Sequence, residues 1–288
     1  MYDLSQYAFV AAFAALGLAV LLYVVNVVGA RGVSRLSLAD GGSVSSSSLG
    51  SALDTAGRYA TILTINSFVF LTASLVFRAI EAGHGPFSNM YEFSLAFAWG
   101  ALALYLYFEF QYKLRSLALL VLPVAVGLMA YATTVPSDIQ PLVPALQHDL
   151  LLTIHVAVAI IAYGAFALGF GTAVLFLIQR RDTIRWLPRS TVLDELGHKA
   201  VMVGFPAMFL TIVLGAVWAD IAWGRYWSWD PKETASLVTW LIYGGYLHAR
   251  VLRGWRGTRS AGLLIVGFGA TLFTYYGNLL FGGLHSYG

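Results

Sequence analysis

The residue types best suited to chemistry fall into two groups. The first is the segment Trp223-Gly-Arg-Tyr-Trp-Ser-Trp-Asp-Pro-Lys-Glu233, where three tryptophans and Tyr226 are interleaved with Arg225, Asp230, Lys232 and Glu233. The second is the set of 6 histidines: His84, His148, His155, His198, His248 and His285. Indole faces accept flat apolar surfaces, and neutral imidazole is a common metal ligand. The chain has 0 cysteines, which excludes Cys-ligated metal, a disulfide framework and a thiol nucleophile of its own.

The elements that must position these groups follow from composition. Of 288 residues, 59% are hydrophobic and 11% charged. An average soluble domain is about 45–50% apolar and about 25% charged. So little charge cannot coat a water-facing surface, which excludes a soluble globular enzyme, and so much apolar content excludes disorder. Apolar runs at 6–28, 59–79, 92–110, 116–135, 150–178, 199–219, 236–252 and 261–281 are each long enough for a bilayer core. They predict an all-α polytopic membrane protein with about eight transmembrane helices. The runs are long and do not alternate, which is unlike barrel strands. The first has no basic flank or cleavage site and reads as a retained span.

Apart from Arg78, Arg225 and Lys232, the 17 basic residues fall in the odd-numbered loops. The positive-inside rule places those loops in the cytoplasm and both termini on the outer side. The net charge of +3 is thereby explained without nucleic acid. Residues 1–30 form an N-terminal span, and 31–57 a flexible cytoplasmic linker containing the Gly/Ser-rich 41–50. Residues 58–288 form a membrane domain with its Trp-rich loop at 220–236, between helices 6 and 7.

On this topology His84, His148, His155 and His285 gather on the outer side with the Trp-rich loop. His198 and His248 lie at the cytoplasmic ends of spans 6 and 7. Two readings of the loop compete. Trp and Tyr are routinely enriched at membrane interfaces. Against that, these aromatics alternate with charged residues, and Gly224 and Pro231 give the backbone a defined course. A flat aromatic shelf with a few charges suits a large planar ligand bearing polar groups at one edge, and a porphyrin fits. His155 and His285 would then be axial iron ligands, with His148 a substitute on the same helix face. The plain alternative for each is an interfacial histidine bonded to water or backbone. Elsewhere, Asp before Pro predicts that Asp230, with Glu233, caps the following helix. Asn89 and Glu92 are expected to organise the outer loop GHGPFSNMYEF. Arg78 is expected to pair with Glu81, and Glu109 with Lys113.

These residues also carry a resemblance. WGRYWSWDPKE is similar to the W-G-x-x-W-x-W-D signature of the haem-handling WWD-domain family of cytochrome c maturation proteins. Within it the chain resembles the CcsA/ResC subunits of the system II synthases. The Ser-Asn-x-Tyr-Glu core of GHGPFSNMYEF and the terminal GGLHSYG match as well, so the resemblance covers about residues 59–288. It implies that His155 and His285 ligate haem b at an external site and that Trp223, Trp227, Trp229 and Asp230 form the WWD signature. It further implies that His248 belongs to an inner haem site whose other histidine comes from a CcsB/ResB partner.

The activity implied is haem lyase, or holocytochrome c synthase, exercised together with that partner. Haem b crosses the membrane and apocytochrome c presents Cys-x-x-Cys-His, whose thiols add to the haem vinyl groups. Both sulfurs must come from the substrate, so this chain positions rather than reacts covalently. Arg225 or Lys232 would meet a propionate, and the Trp223, Trp227 and Trp229 shelf would support one haem face. Thioredoxin-like proteins that keep the substrate cysteines reduced would act indirectly. The implied site is a bacterial plasma or thylakoid membrane, with the reaction on the extracytoplasmic side. Two other classes stay open: a b-type electron-transfer subunit that keeps its haem, and a His-dependent transporter, which would want ionisable residues at mid-membrane.

Overall fold

In lipid every backbone N–H and C=O must be satisfied internally, which apolar runs of this length achieve as helices. The computed structural model describes residues 1–39, 44–139, 149–184 and 187–284, with side chains other than those of 30–39, 44–47, 149 and 277–280. Its helices are α1 (Tyr2–Ala39), α2 (Val44–Ala82), α3 (Met90–Tyr112), α4 (Ala118–Ala132), α5 (Asp149–Ile178), α6 (Ser190–Trp223), α7 (Pro231–Leu252) and α8 (Thr258–Phe281). A single 3-10 turn, Arg115–Leu117, leads into α4. Six of them, α1 to α6, are long and apolar enough to cross a membrane among the described residues. The chain is therefore a multi-pass helical membrane protein.

Several local expectations are corrected. The segment 31–57, expected as a flexible linker, is helical over 31–39 and 44–57. Ser and Gly are weak helix formers, yet the helix runs through them, and α2 packs along α1. Ser67 donates to the Ala12 carbonyl at 2.9 Å, and Ser74 to the Ser5 carbonyl at 2.9 Å. α1 also packs on α4, so it is part of the bundle rather than a separate unit.

Two ion pairs differ from the sequence pattern as well. Arg78 pairs with Glu92 at 2.6 Å, both side chains fully buried, while Glu81 meets the N-terminal ammonium at 3.4 Å. Glu109 is bonded by Tyr23 at 2.8 Å and Thr61 at 2.6 Å and faces Arg115 at 3.5 Å. Lys113 instead caps α3 in a left-handed conformation, φ 55°. In each case an interhelical partner displaces the near neighbour on the same helix. A buried charge cannot be left to a solvent-exposed side chain.

α5 is central, in contact with α3, α4, α6 and α8, while α7 packs on α8 and α6. The helix ends nearest the Trp-rich segment are firmly capped. Asn89 accepts from the Glu92 N–H at 3.0 Å to start α3. Gly224, φ 71°, ends α6, and a capping box of Asp230 and Glu233 with Pro231 starts α7.

Candidate functional site

One end of α3, α5, α6, α7 and α8, together with the loop 224–230, encloses a cavity of about 1020 Å³, its open side included. Its back wall is aromatic. Phe97 stacks on Tyr163 at 5.0 Å and meets the edge of Tyr275 at 5.1 Å, and the Tyr275 hydroxyl is held by Ser94 at 2.9 Å.

His155, on α5, lies half-buried on the cavity wall. Its seat is on α6, where a Cβ on Gly215 would stand 2.9 Å from the imidazole Cε1. The missing side chain is what lets the ring approach α6 this closely. His285, the expected second ligand, lies outside the described residues, as does His148. The chain immediately before His285 is nonetheless placed. The Leu284 N–H donates to Asp230 Oδ2 at 2.7 Å, and a Cβ on Gly283 would collide with the same carboxylate. Asp230 Oδ1 accepts from the Lys232 N–H at 2.9 Å. Asp230 thus caps α7 and also fastens the terminal segment to the Trp-rich loop.

The three signature tryptophans do not form one continuous shelf, which corrects the sequence reading. Trp227 lines the cavity. Trp223 lies beside it, edge-on to buried Trp218 at 4.7 Å, in a satellite cluster with Phe87, Leu152 and Val156. Trp229 is 70% exposed and meets Trp227 at right angles, centroids 5.8 Å apart. Its φ of 60° is rare for a bulky side chain and points to an over-determined loop. The loop is held by Glu233, which accepts from the Ser228 N–H at 2.8 Å, the Ser228 hydroxyl at 3.1 Å and the Asp230 N–H at 3.2 Å.

Of the two cations suggested for a propionate, Lys232 lines the cavity and Arg225 does not. Arg225 is exposed. Lys232 sits just ahead of the apolar run 236–252, with its ammonium 5.7 Å from the centroid of Phe93. Among the described residues no carboxylate lies within ion-pair distance of it. Burial lowers the ammonium pKa, opposed by the Asp230 charge. An anionic ligand here would add to the stabilising charge of Asp230 and favour the charged form of Lys232.

His248 is exposed near the other end of α7, 16 residues from Lys232, or about 24 Å along the helix axis. Nearby, Arg250 pairs with Asp194 at 2.8 Å, and His198 sits beside Tyr246 at 6.3 Å. His84 is confined to its own turn, with Nδ1 2.8 Å from the Gly85 carbonyl. Sequence reasoning did not single out Trp218, Phe93, Phe97 or Tyr163. Trp218 alone gave a signal, an indole near the C-terminal end of an apolar run.

The fold and site define a class: a multi-pass helical membrane protein with a histidine- and tryptophan-walled cavity at one end. The cytochrome C assembly protein family matches residues 87–285. The cytochrome c biogenesis protein CcsA of Guillardia theta is 37% identical over 253 residues, covering 78% of this chain and 84% of its own. That of Synechococcus elongatus is 36% identical, covering 76% and 83%, and that of Gloeobacter violaceus 35%, covering 76% and 82%. The chain belongs to the cytochrome c assembly protein family, and its role is in cytochrome c biogenesis. Among solved structures, Cytochrome c Heme Lyase CcmF superposes with a TM-score of 0.64 at 16% identity, covering 96% of this chain and 46% of that one. At that identity the likeness is one of fold.

Proposed function

We propose that this chain takes haem b across the membrane and presents it, in the cavity beside the Trp-rich loop, to apocytochrome c, acting with a CcsB/ResB partner. The observation that carries this reading is the convergence of His155, Trp227 and Lys232 on one cavity, with Asp230 tying the backbone next to His285 to the same loop. Haem is the substrate. Its flat apolar body suits the aromatic walls, its iron an imidazole, and a propionate the Lys232 ammonium. In this reading His285 supplies the second histidine to the haem iron.

Attachment needs no reactive group from this chain. Each substrate thiol adds across a vinyl group: an S–C bond forms, the vinyl π bond breaks, and the thiol proton passes to the other vinyl carbon. No electron leaves, so the step is balanced without an oxidant. The residues here hold the ring system, keep its vinyl edge presented and exclude water. The axial histidines must exchange, because the substrate histidine takes one position in the product. In this reading α7 and α8 also cross the membrane, both termini lie outside with the cavity, and His248 serves an inner haem site on the cytoplasmic side.

The test is His155→Gly or His285→Gly in the chain co-purified with its partner. Loss of the bis-histidine haem spectrum, partial restoration by added imidazole and loss of holocytochrome c are expected. Unchanged spectra and maturation in both variants would overturn the assignment.

A further inference from the structure

A second cavity, about 1440 Å³ with its open mouth included, lies at the opposite end of α3 from the first, among α1, α2, the 3-10 turn and the segment leading into α6. Its polar wall holds Arg58, Lys113 and Arg115. Arg115 reaches in because α2 carries Gly57 at the crossing, where a Cβ would stand 2.9 Å from the Arg115 guanidinium and 2.8 Å from the Asn26 amide. Two carboxylates oppose these cations. Asp54 takes Arg58 and Arg115, both at 2.9 Å, and Glu109 faces Arg115 while accepting from Tyr23 and Thr61. The remaining positive charge is that of Lys113, whose ammonium has no carboxylate within ion-pair distance among the described residues. The other wall is apolar. Val27 and Ile65 line it, and Ile62 and Phe110, 49% and 52% exposed, carry it out onto the exposed apolar surface.

We propose that this pocket binds the phosphodiester headgroup of an anionic membrane phospholipid, with its acyl chains running out over Ile62 and Phe110. Among the described residues one surplus cation matches the single charge of a phosphodiester, and an apolar wall open to the bilayer matches a tethered ligand rather than a free ion. Basic pockets between membrane helices are established headgroup sites. Among the described residues no histidine lines this pocket, so its chemistry is anion recognition and separate from the imidazole-walled cavity. The site would fasten α1 and α2 to the rest of the bundle through a lipid.

The test is lipid titration of the full-length chain in detergent, read by native mass spectrometry, with phosphatidylglycerol, phosphatidylcholine and soluble glycerophosphate as separate probes. Phosphatidylglycerol is expected to bind in defined stoichiometry, with phosphatidylcholine and glycerophosphate roughly tenfold weaker or more. Lys113→Gln should weaken binding about fivefold and Arg58→Gln/Lys113→Gln about 25-fold, while Lys113→Arg should retain it. The Lys113 side chain is exposed, so the variants are expected to keep wild-type helicity by circular dichroism. Three outcomes would overturn the proposal: equal binding of phosphatidylcholine, equal binding of glycerophosphate (a free-anion site), or undiminished affinity in the double variant.

Discussion

Asp230 uses its two oxygens for two tasks, and they can be separated. One oxygen caps α7 and the other holds the Leu284 N–H. Asp230→Ala removes both, and the lost cap alone costs about 1 kcal/mol. Asp230→Asn keeps one acceptor oxygen for the cap but turns an NH₂ donor toward the Leu284 N–H. The expected outcome is near-wild-type thermal stability for Asn with weakened haem retention, and loss of both for Ala. If Asn retains haem as well as wild type, the tether has no role in ligand presentation. The capping role was legible from Asp-Pro and Glu233. The tether was not, because nothing in a sequence reveals a contact between residues 54 positions apart.

At the scale of elements, α5 and α6 act on His155 together. The imidazole belongs to α5, but its orientation is set by the notch at Gly215 on α6. Gly215→Ala keeps the ligand and moves its ring by a few tenths of an ångström. A shifted haem absorption spectrum is expected, and added imidazole should not restore it because the ring is still present. Rescue by imidazole would mean that the ring had been displaced altogether. Overpacking of this kind costs about 1–3 kcal/mol, so a modest fall in unfolding temperature should accompany the spectral change.

The same scale explains which elements could be read in advance. The eight apolar runs each correspond to a helix, because length and apolarity are intrinsic to the segment. The extension of α2 back to Val44 was hidden, since Gly and Ser disfavour helix. The cavity walls were equally hidden. Phe93, Phe97 and Tyr163 look like any apolar residues of a membrane helix, whether they face lipid, core or ligand. Histidines and tryptophans were visible because they are costly or rare in that setting, yet their division of labour was not. Only the folded loop puts Trp227 on the cavity, Trp223 behind it and Trp229 outside.

At the scale of the whole molecule, the buried pair Arg78–Glu92 ties α2 to α3 across the short loop that connects them, and links both to the segment after α4. Arg78 comes from α2 and Glu92 from the first turn of α3, the helix that supplies Phe93 and Phe97 to the cavity. Arg78 also donates to the Ser137 carbonyl beyond α4 and lies 4.7 Å over the Tyr91 ring. Glu92 in turn accepts from the Ser88 N–H at 2.6 Å and its hydroxyl at 2.7 Å. Both side chains are fully out of contact with solvent, so removing one partner leaves the other charge uncompensated. Arg78→Met should therefore destabilise the protein by about 3–5 kcal/mol. Arg78→Met/Glu92→Met removes both charges, and well-packed apolar replacements for buried pairs are often close to neutral, so most of that loss should return. Denaturant unfolding in a single detergent checks this as a double-mutant cycle. A double variant no more stable than Arg78→Met would show that the links to Ser137 and Tyr91, rather than the ion pair, hold this end of the bundle. Recovery of stability with haem still lost would show instead that the charged pair sets the position of α3 against the cavity beyond its part in keeping the chain folded.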